Sequence, residues 1–133
     1  MGIFDSLRVS GSALAAERSR MDVIAQNIAN VETTRSGEGP YRRREVVLRT
    51  EQVPGGNATG VAVAGIAVDE SPLTRVHRPG HPDADMEGYL HLPNVDLPTE
   101  MADMALAARA YEANAAALRS GREMLQAALS ILA

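Results

Sequence analysis

Four residues that could together bind a metal ion lie close to one another in the middle of the chain: His77, His81, Asp83 and Asp85. Imidazole nitrogens and carboxylate oxygens are common ligands of divalent cations. Two histidines four residues apart can face one ion on a helix, but Pro79 between them prevents a helix there. We therefore expect an exposed, turn-rich loop and predict no metal site.

The segment that begins at Asp83 also resembles the first half of a calcium-binding loop. Asp83, Asp85 and Glu87 would supply oxygen ligands at its first, third and fifth positions, and Gly88 stands at the sixth. The twelfth position is Asn94, whereas such loops end on a glutamate that binds through both oxygens. We therefore predict a tight turn before a short strand.

A run of three basic residues, 42–44, could meet a phosphate or an acidic protein surface. Glu45 follows at once, and Tyr41 is the only aromatic residue beside it, so we expect a solvated strand end or an ion-pair contact with a neighbouring subunit. No nucleophile lies in a strand–turn–helix elbow, and no glycine loop for phosphate is present. The sequence predicts no enzyme activity, no cofactor and no small-molecule substrate.

Composition limits the remaining classes of function. The formal net charge of −4 argues against nucleic acid as a partner, because phosphate binding needs a basic surface. The chain has no cysteine, which excludes disulfides and thiolate chemistry. Only 3% of the residues are aromatic and 22 are alanine. Small side chains suit closely spaced helices better than a thick core.

Prolines divide the chain, because all seven lie between positions 40 and 98 and leave the two flanks free to form helices. In the first flank, residues 3–30, an apolar residue recurs every seventh position, at Leu7, Leu14, Met21 and Ile28. This spacing predicts an amphipathic helix with one narrow apolar line. The motif Asn27–Asn30 would close that helix with a C-terminal cap, because asparagine tolerates the left-handed conformation and can hydrogen-bond free carbonyls.

The second flank carries a longer apolar line. From Leu97 onward, alternating steps of four and three residues reach Met101, Met104, Ala108, Tyr111, Ala115, Leu118, Arg122, Leu125, Leu129 and Leu132. This heptad pattern predicts one helix of about 50 Å that starts near Thr99 and needs a partner to cover its apolar line. The first helix is the nearest partner. Asn114, which is disfavoured inside a helix, indicates a polar contact, for example with a neighbouring chain.

The middle of the chain predicts short strands over residues 43–50 and 61–68, and weaker ones over 73–78 and 88–92. The predicted fold is therefore mainly α, with the N- and C-terminal helices packed as a coiled-coil-like hairpin around a small β-rich middle segment. We divide the chain into an N-terminal helix (1–32), a loop and strand segment (33–95) and a C-terminal helix (96–133). The apolar residues that line one side of each helix together form the predicted assembly seam: Leu7, Leu14, Met21, Ile28, Met101, Met104, Ala108, Tyr111, Leu118, Leu125 and Leu129.

Five short motifs in a fixed order resemble those of the flagellar axial proteins, and among them the proximal rod proteins. The motif residues are Asn27, Ala29, Asn30 and Thr33, then Tyr41, then Gly88 and Tyr89, then Pro93 and Asn94, and finally Tyr111 and Asn114. Each motif is weak alone, but five in order are specific. The resemblance covers both ends and much of the middle.

The resemblance implies a structural subunit that is exported through the flagellar type III apparatus and assembles helically into the rod in the periplasm. The rod would act as drive shaft and export channel. Its implied partners are other rod proteins, copies of itself, the adapter between MS ring and rod, and the export machinery, with no nucleic acid. The alternative is a stand-alone helical-hairpin module that docks on some other protein.

Overall fold

The computed structural model describes residues 2–133 and contains two long helices with two β-hairpins between them. In chain order the elements are α1 (Ile3–Ala29), β1 (Arg44–Gln52), β2 (Thr59–Val68), β3 (Thr74–His77), β4 (Tyr89–Leu92) and α2 (Leu97–Leu132). The mainly α fold with a small β middle segment is therefore confirmed, as are both helices and all four strands.

Helix α2 begins two residues before the predicted start. Asp96 caps the helix, because its carboxylate accepts the Thr99 N–H at 3.2 Å and also the Thr99 hydroxyl. Pro98 lies in the first turn, where its missing N–H costs no hydrogen bond. The expectation that Thr99 starts the helix was wrong, since this residue is the partner of the cap.

The end of α1 carries the predicted cap. Asn30 is the C-terminal cap, and its Nδ2 donates to the free Gln26 carbonyl at 2.8 Å, as expected of an asparagine there. Its φ of −108° is an ordinary conformation, so the cap does not use the left-handed backbone that asparagine tolerates. The side-chain hydrogen bond to a free carbonyl is enough to end the helix without a backbone reversal.

The strands form two separate antiparallel hairpins. In the first, Arg44 pairs with Val68 and Gln52 with Thr59, with a bulge beside Val47. In the second, β3 pairs with β4. An isolated two-stranded sheet is only marginally stable, so each hairpin needs support from the rest of the chain.

Helix α1 provides that support for the first hairpin. The Ser12 hydroxyl accepts the Val61 N–H at 3.1 Å, and it donates to the Val9 carbonyl of its own helix at 2.7 Å. Near the start of α1, the Arg8 guanidinium donates to the Pro54 carbonyl in the hairpin loop at 2.8 Å. The hairpin is therefore held along α1 by hydrogen bonds at two heights.

The two helices lie side by side and antiparallel. The end of α1 contacts the start of α2, and Leu7, near the start of α1, contacts Gly121 in the second half of α2. A Cβ atom on Gly121 would lie 2.7 Å from Leu7 Cδ2, so a larger residue at position 121 would force the Leu7 side chain to shift. Among residues 2–133, neither helix is long and apolar enough to cross a membrane.

Candidate functional site

A buried polar cluster joins the ends of the two helices to the start of β1. Its centre is Asn27, whose side chain is fully buried in the last turn of α1. The Asn27 Oδ1 accepts the Arg44 N–H at 3.0 Å and the Tyr41 hydroxyl at 2.9 Å. Its Nδ2 donates to the Arg44 carbonyl at 2.7 Å and to Glu100 Oε2 at 3.1 Å. All four hydrogen-bonding positions of the carboxamide are therefore occupied.

This geometry gives Asn27 a specific role at the outer edge of β1. Its carboxamide pairs with both the N–H and the C=O of Arg44, which are the groups that a further strand would bind. The expectation that Asn27 caps the helix was therefore wrong for this residue. Only a side chain with adjacent donor and acceptor groups can make this pair of contacts.

Glu100, in the first turn of α2, is the charged partner in the cluster and is 0% exposed. Its second oxygen, Oε1, accepts the Arg43 Nε–H at 2.5 Å. The hydrogen bond to Glu100 raises the pKa of the Arg43 guanidinium, which therefore stays charged. A buried carboxylate that is both paired and hydrogen-bonded is tolerated, whereas one that loses its partner is strongly destabilising.

Burial raises the pKa of the Tyr41 hydroxyl, and the nearby Arg44 partly offsets this shift. The neutral hydroxyl is the form that donates to Asn27, so the environment of Tyr41 and its hydrogen bond favour the same protonation state. Tyr41 is a hydrogen-bond donor that fills one side of the cluster.

Asn94 extends the cluster to the segment between the hairpins. Its Oδ1 accepts the Arg43 N–H at 2.8 Å, and its Nδ2 donates to the Asp69 carbonyl and to Ser71 Oγ, each at 2.9 Å. The backbone hydrogen bond from Ser71 lowers the pKa of the Asp69 carboxyl. Asn94 thereby connects the end of β2 to the start of β1.

The basic run 42–44 is largely engaged within its own chain. Arg42 donates to the Ser71 carbonyl at 3.1 Å, and the Arg44 guanidinium lies 5.6 Å from the centre of the Tyr41 ring. Arg43 pairs with Glu100 inside the cluster. The prediction of a solvated strand end or an intersubunit ion pair was therefore wrong for Arg43.

The first family motif forms the turn after α1. The Thr33 hydroxyl donates to Asn30 Oδ1 at 3.1 Å, and the Thr33 carbonyl accepts the Tyr41 N–H at 3.0 Å. Ala29 is exposed as the last residue of the helix. These contacts bring Tyr41 back to the end of α1, so the two motifs touch each other directly.

The motif around Gly88 forms the predicted tight turn. The Asp85 carboxylate accepts the N–H groups of Glu87 at 2.9 Å and of Tyr89 at 2.8 Å. Gly88 has a φ of +80°, and a Cβ there would lie 2.9 Å from Pro79 Cβ. The resemblance to a calcium loop therefore reflects a turn in which the Asp85 carboxylate binds backbone N–H groups.

Two further candidate metal ligands, His81 and Asp83, also bind groups of the protein itself. His81 Nδ1 accepts the Asp83 N–H at 3.1 Å. Asp83 accepts the Thr34 hydroxyl at 2.7 Å and forms an ion pair with Arg35. Within residues 2–133, no three histidine or acidic side chains converge as a metal site.

The apolar lines of the helices match the heptad prediction only in part. Leu7, Leu14, Met21 and Ile28 of α1 are half-buried, and so are Met104, Leu118 and Leu125 of α2. At three other positions along α2, the buried residue is the one that precedes the predicted residue. Glu100 is buried instead of Met101, Ala107 instead of Ala108, and Gly121 instead of Arg122. Helix α2 is therefore turned so that Met101 and Tyr111 are exposed. Leu129 is also exposed, because it lies eight residues beyond Gly121, whereas α1 begins only four residues before Leu7.

Asn114, expected to make a special polar contact, donates to the Ala110 carbonyl of its own helix at 2.9 Å. The contact with a neighbouring chain stays a prediction. The residues that sequence reasoning missed are Arg43, Glu100 and Gly121. Gly121 is the only glycine in α2 and could have marked a close helix contact. The pairing of Arg43 with Glu100, 57 positions apart, left no local pattern.

Two family models match this chain. Residues 7–35 match the flagella basal body rod protein family, and residues 86–131 match the C-terminal region of the flagellar basal body rod FlgEFG proteins. The chain is 42% identical to the flagellar basal-body rod protein FlgC of Borreliella burgdorferi, with 99% of each chain covered. It is 43% identical to FlgC of Bacillus subtilis, over 98% of this chain and 99% of the relative. It is 38% identical to FlgC of Salmonella typhimurium, over 98% and 96%.

Proposed function

Because this chain belongs to the FlgC family of flagellar basal-body rod proteins, it is a structural subunit of the basal body and not an enzyme, and we propose that it assembles helically within the proximal rod. Family membership also implies assembly with other basal-body rod proteins. The proposed finer role is to form part of the drive shaft and of the channel through which later subunits are exported.

The observation that carries this proposal is the apolar surface that one copy of the chain leaves uncovered. Met101 is 59% exposed, Leu129 58% and Leu132 85%. Leu129 and Leu132 lie about one turn apart at the end of α2, beside Ile131, which is 84% exposed, and an uncovered apolar group of this kind is typical of an interaction surface. In a helical assembly, neighbouring subunits would cover these side chains.

The proposed division of the chain follows from the same argument. Residues 1–32 and 96–133 would supply the two helices that pack around the channel, with coiled-coil-like contacts along the assembly seam. Residues 33–95 would contact neighbours on the outside. The many alanines of α2 would let the helices of several subunits approach closely.

The proposed partners beyond the family's rod proteins are copies of this chain and the adapter between MS ring and rod. Export through the flagellar type III machinery would deliver the chain to the rod in the periplasm. A chain with a small core and few aromatic residues suits such export, because it needs little work to unfold.

A truncation that ends at Met104 tests the proposal in cells, because it removes most of α2. We expect normal expression but no rod and no motility, measured by immunoblotting, swimming assays and cryo-EM of purified basal bodies. Arg119→Asp serves as the control, since this exposed residue lies off the predicted seam. Motile cells carrying the truncation would contradict the proposal. Absence of the full-length chain from rod density would favour the stand-alone module.

A further inference from the structure

Helix α2 carries a second line of uncharged residues on a face that α1 does not cover. Steps of four and three residues connect Leu106, Ala110, Ala113, Ala117, Ser120, Met124, Ala127 and Ile131, which we call the outer stripe. Leu106 is 60% exposed, Met124 59% and Ile131 84%. The stripe lies about 100° around the helix from Ala107, which faces α1. Among the described elements, α2 contacts α1 and no strand.

The outer stripe is complementary to itself in an antiparallel arrangement. When Ala113 faces Ala117 of a second copy, Leu106 faces Met124 of that copy at either end of the contact. Small residues then meet in the middle, where they let the two helix axes approach closely, and larger ones cover the ends. The overlap from Leu106 to Met124 is about 27 Å long. Heptad spacing of uncharged residues is the pattern of such a helix–helix seam.

Charges beside the stripe favour the same arrangement. Arg109 and Glu123 flank it on the side away from α1, and neither belongs to an ion pair within residues 2–133. In the antiparallel register, Arg109 lies within about 3 Å, along the helix axis, of Glu123 of the second copy. Because of the two-fold symmetry, the dimer contains two such pairs of opposite charges. A parallel arrangement of unshifted copies would instead place like charges at the same height.

We propose that two copies of this chain associate in solution through their outer stripes, antiparallel and about a two-fold axis. Such a contact uses the same patch on both copies and is therefore closed, whereas a helical assembly needs an open contact. The dimer itself does not depend on the rod role. Its consequence, that paired subunits keep the stripe covered and out of contact with other rod subunits, rests on the proposed function.

Charge exchange tests the dimer in the purified full-length chain by sedimentation velocity over a concentration series. Arg109→Glu and Glu123→Arg should each raise the dimer Kd at least about tenfold, since both attractive pairs become repulsive at once. The double variant R109E/E123R should return the Kd to within about threefold of the parent. Arg119→Glu, on the opposite side of α2, should leave it unchanged.

A parent chain that stays monomeric at every concentration would overturn the proposal, and so would equal effects of Arg109→Glu and Arg119→Glu. Because all these residues are exposed, circular dichroism should report the same helix content in every variant. The rod proposal is tested separately by motility, so failure of one leaves the other intact.

Disulfide trapping tests the register, since the chain has no cysteine of its own. A mixture of the variants Ala113→Cys and Ala117→Cys should cross-link faster than either variant alone, because these two positions face each other. Arg119→Cys, which is exposed on the opposite side of α2, is the control. Equal cross-linking in the mixture and in the control would overturn the antiparallel register.

Discussion

Replacing Glu100 by glutamine tests whether the buried cluster holds the helix ends together. The side chain keeps its size and loses only its charge and one acceptor. In the parent, one carboxylate oxygen accepts Arg43 Nε at 2.5 Å and the other accepts Asn27 Nδ2 at 3.1 Å. A glutamine has a single side-chain oxygen, so its NH₂ group must point at one of these two donors.

The expected cost follows from this mismatch. Hydrogen bonds to charged groups contribute about 1.5–3 kcal/mol, and breaking a buried ion pair costs about 3–5 kcal/mol. The Arg43 side chain is 23% exposed, so water partly solvates the guanidinium that loses its partner. We therefore expect Glu100→Gln to lower the free energy of unfolding by about 2–4 kcal/mol, toward the lower end of the combined ranges.

Urea unfolding of the purified chain, followed by circular dichroism at 222 nm, measures this loss. With a slope of about 1–3 kcal/mol per molar urea, the midpoint should fall by about 0.7–4 M. Glu112→Gln makes the same chemical change at an exposed position of α2 and should change the free energy of unfolding by less than about 0.5 kcal/mol.

If Glu100→Gln and Glu112→Gln destabilise the chain equally, the carboxylate of Glu100 does not hold the cluster together, and the assignment of Asn27 as its centre fails as well. A double-mutant cycle with Arg43→Met sharpens the test. The coupling between positions 43 and 100 should exceed about 1 kcal/mol if their contact is the one described.

Three further predictions concern the cluster and the helices. Because burial raises the pKa of Tyr41 above 10.0, the folded chain holds this proton more tightly than the unfolded chain. Stability should therefore fall above pH 10 in alkaline unfolding titrations, and Tyr41→Phe should flatten that fall while costing about 1 kcal/mol at neutral pH. Leu118→Asp should lower motility and the melting temperature far more than Arg119→Asp, and equal effects would refute the apolar line. Gly121→Leu should destabilise the chain by about 1–3 kcal/mol in urea titrations, and Leu7→Ala should relieve most of that cost.

Much of the fold could be predicted because it depends on local rules. The confinement of proline to positions 40–98 left both flanks free to form helices. The seven-residue spacing of Leu7, Leu14 and Met21 predicted the first helix, and the alternating four- and three-residue spacing after Leu97 predicted the second. Alternating and β-branched residues predicted the strands. Gly88 and Asp85 predicted the turn between them, since a turn needs only neighbouring residues.

The packing between elements could not be predicted in the same way. The heptad line placed Met101 toward α1, whereas the structure buries Glu100. A difference of one residue turns the helix by about 100°, and apolar spacing alone does not distinguish two adjacent lines when alanine occupies both. The rotation is set by contacts of distant residues, such as Gly121 with Leu7.

The sequence by itself determined the element order, the absence of cysteine chemistry and the motifs that place the chain in its family. Only the tertiary structure decided what those motifs do. Asn27, Tyr41 and Asn94 lie far apart along the chain, and folding brings them around Arg43 and Glu100. Residue spacing indicates which face of a helix is apolar. Hydrogen bonds between side chains that are distant in the sequence form only when folding packs the ends of the two helices against the start of β1.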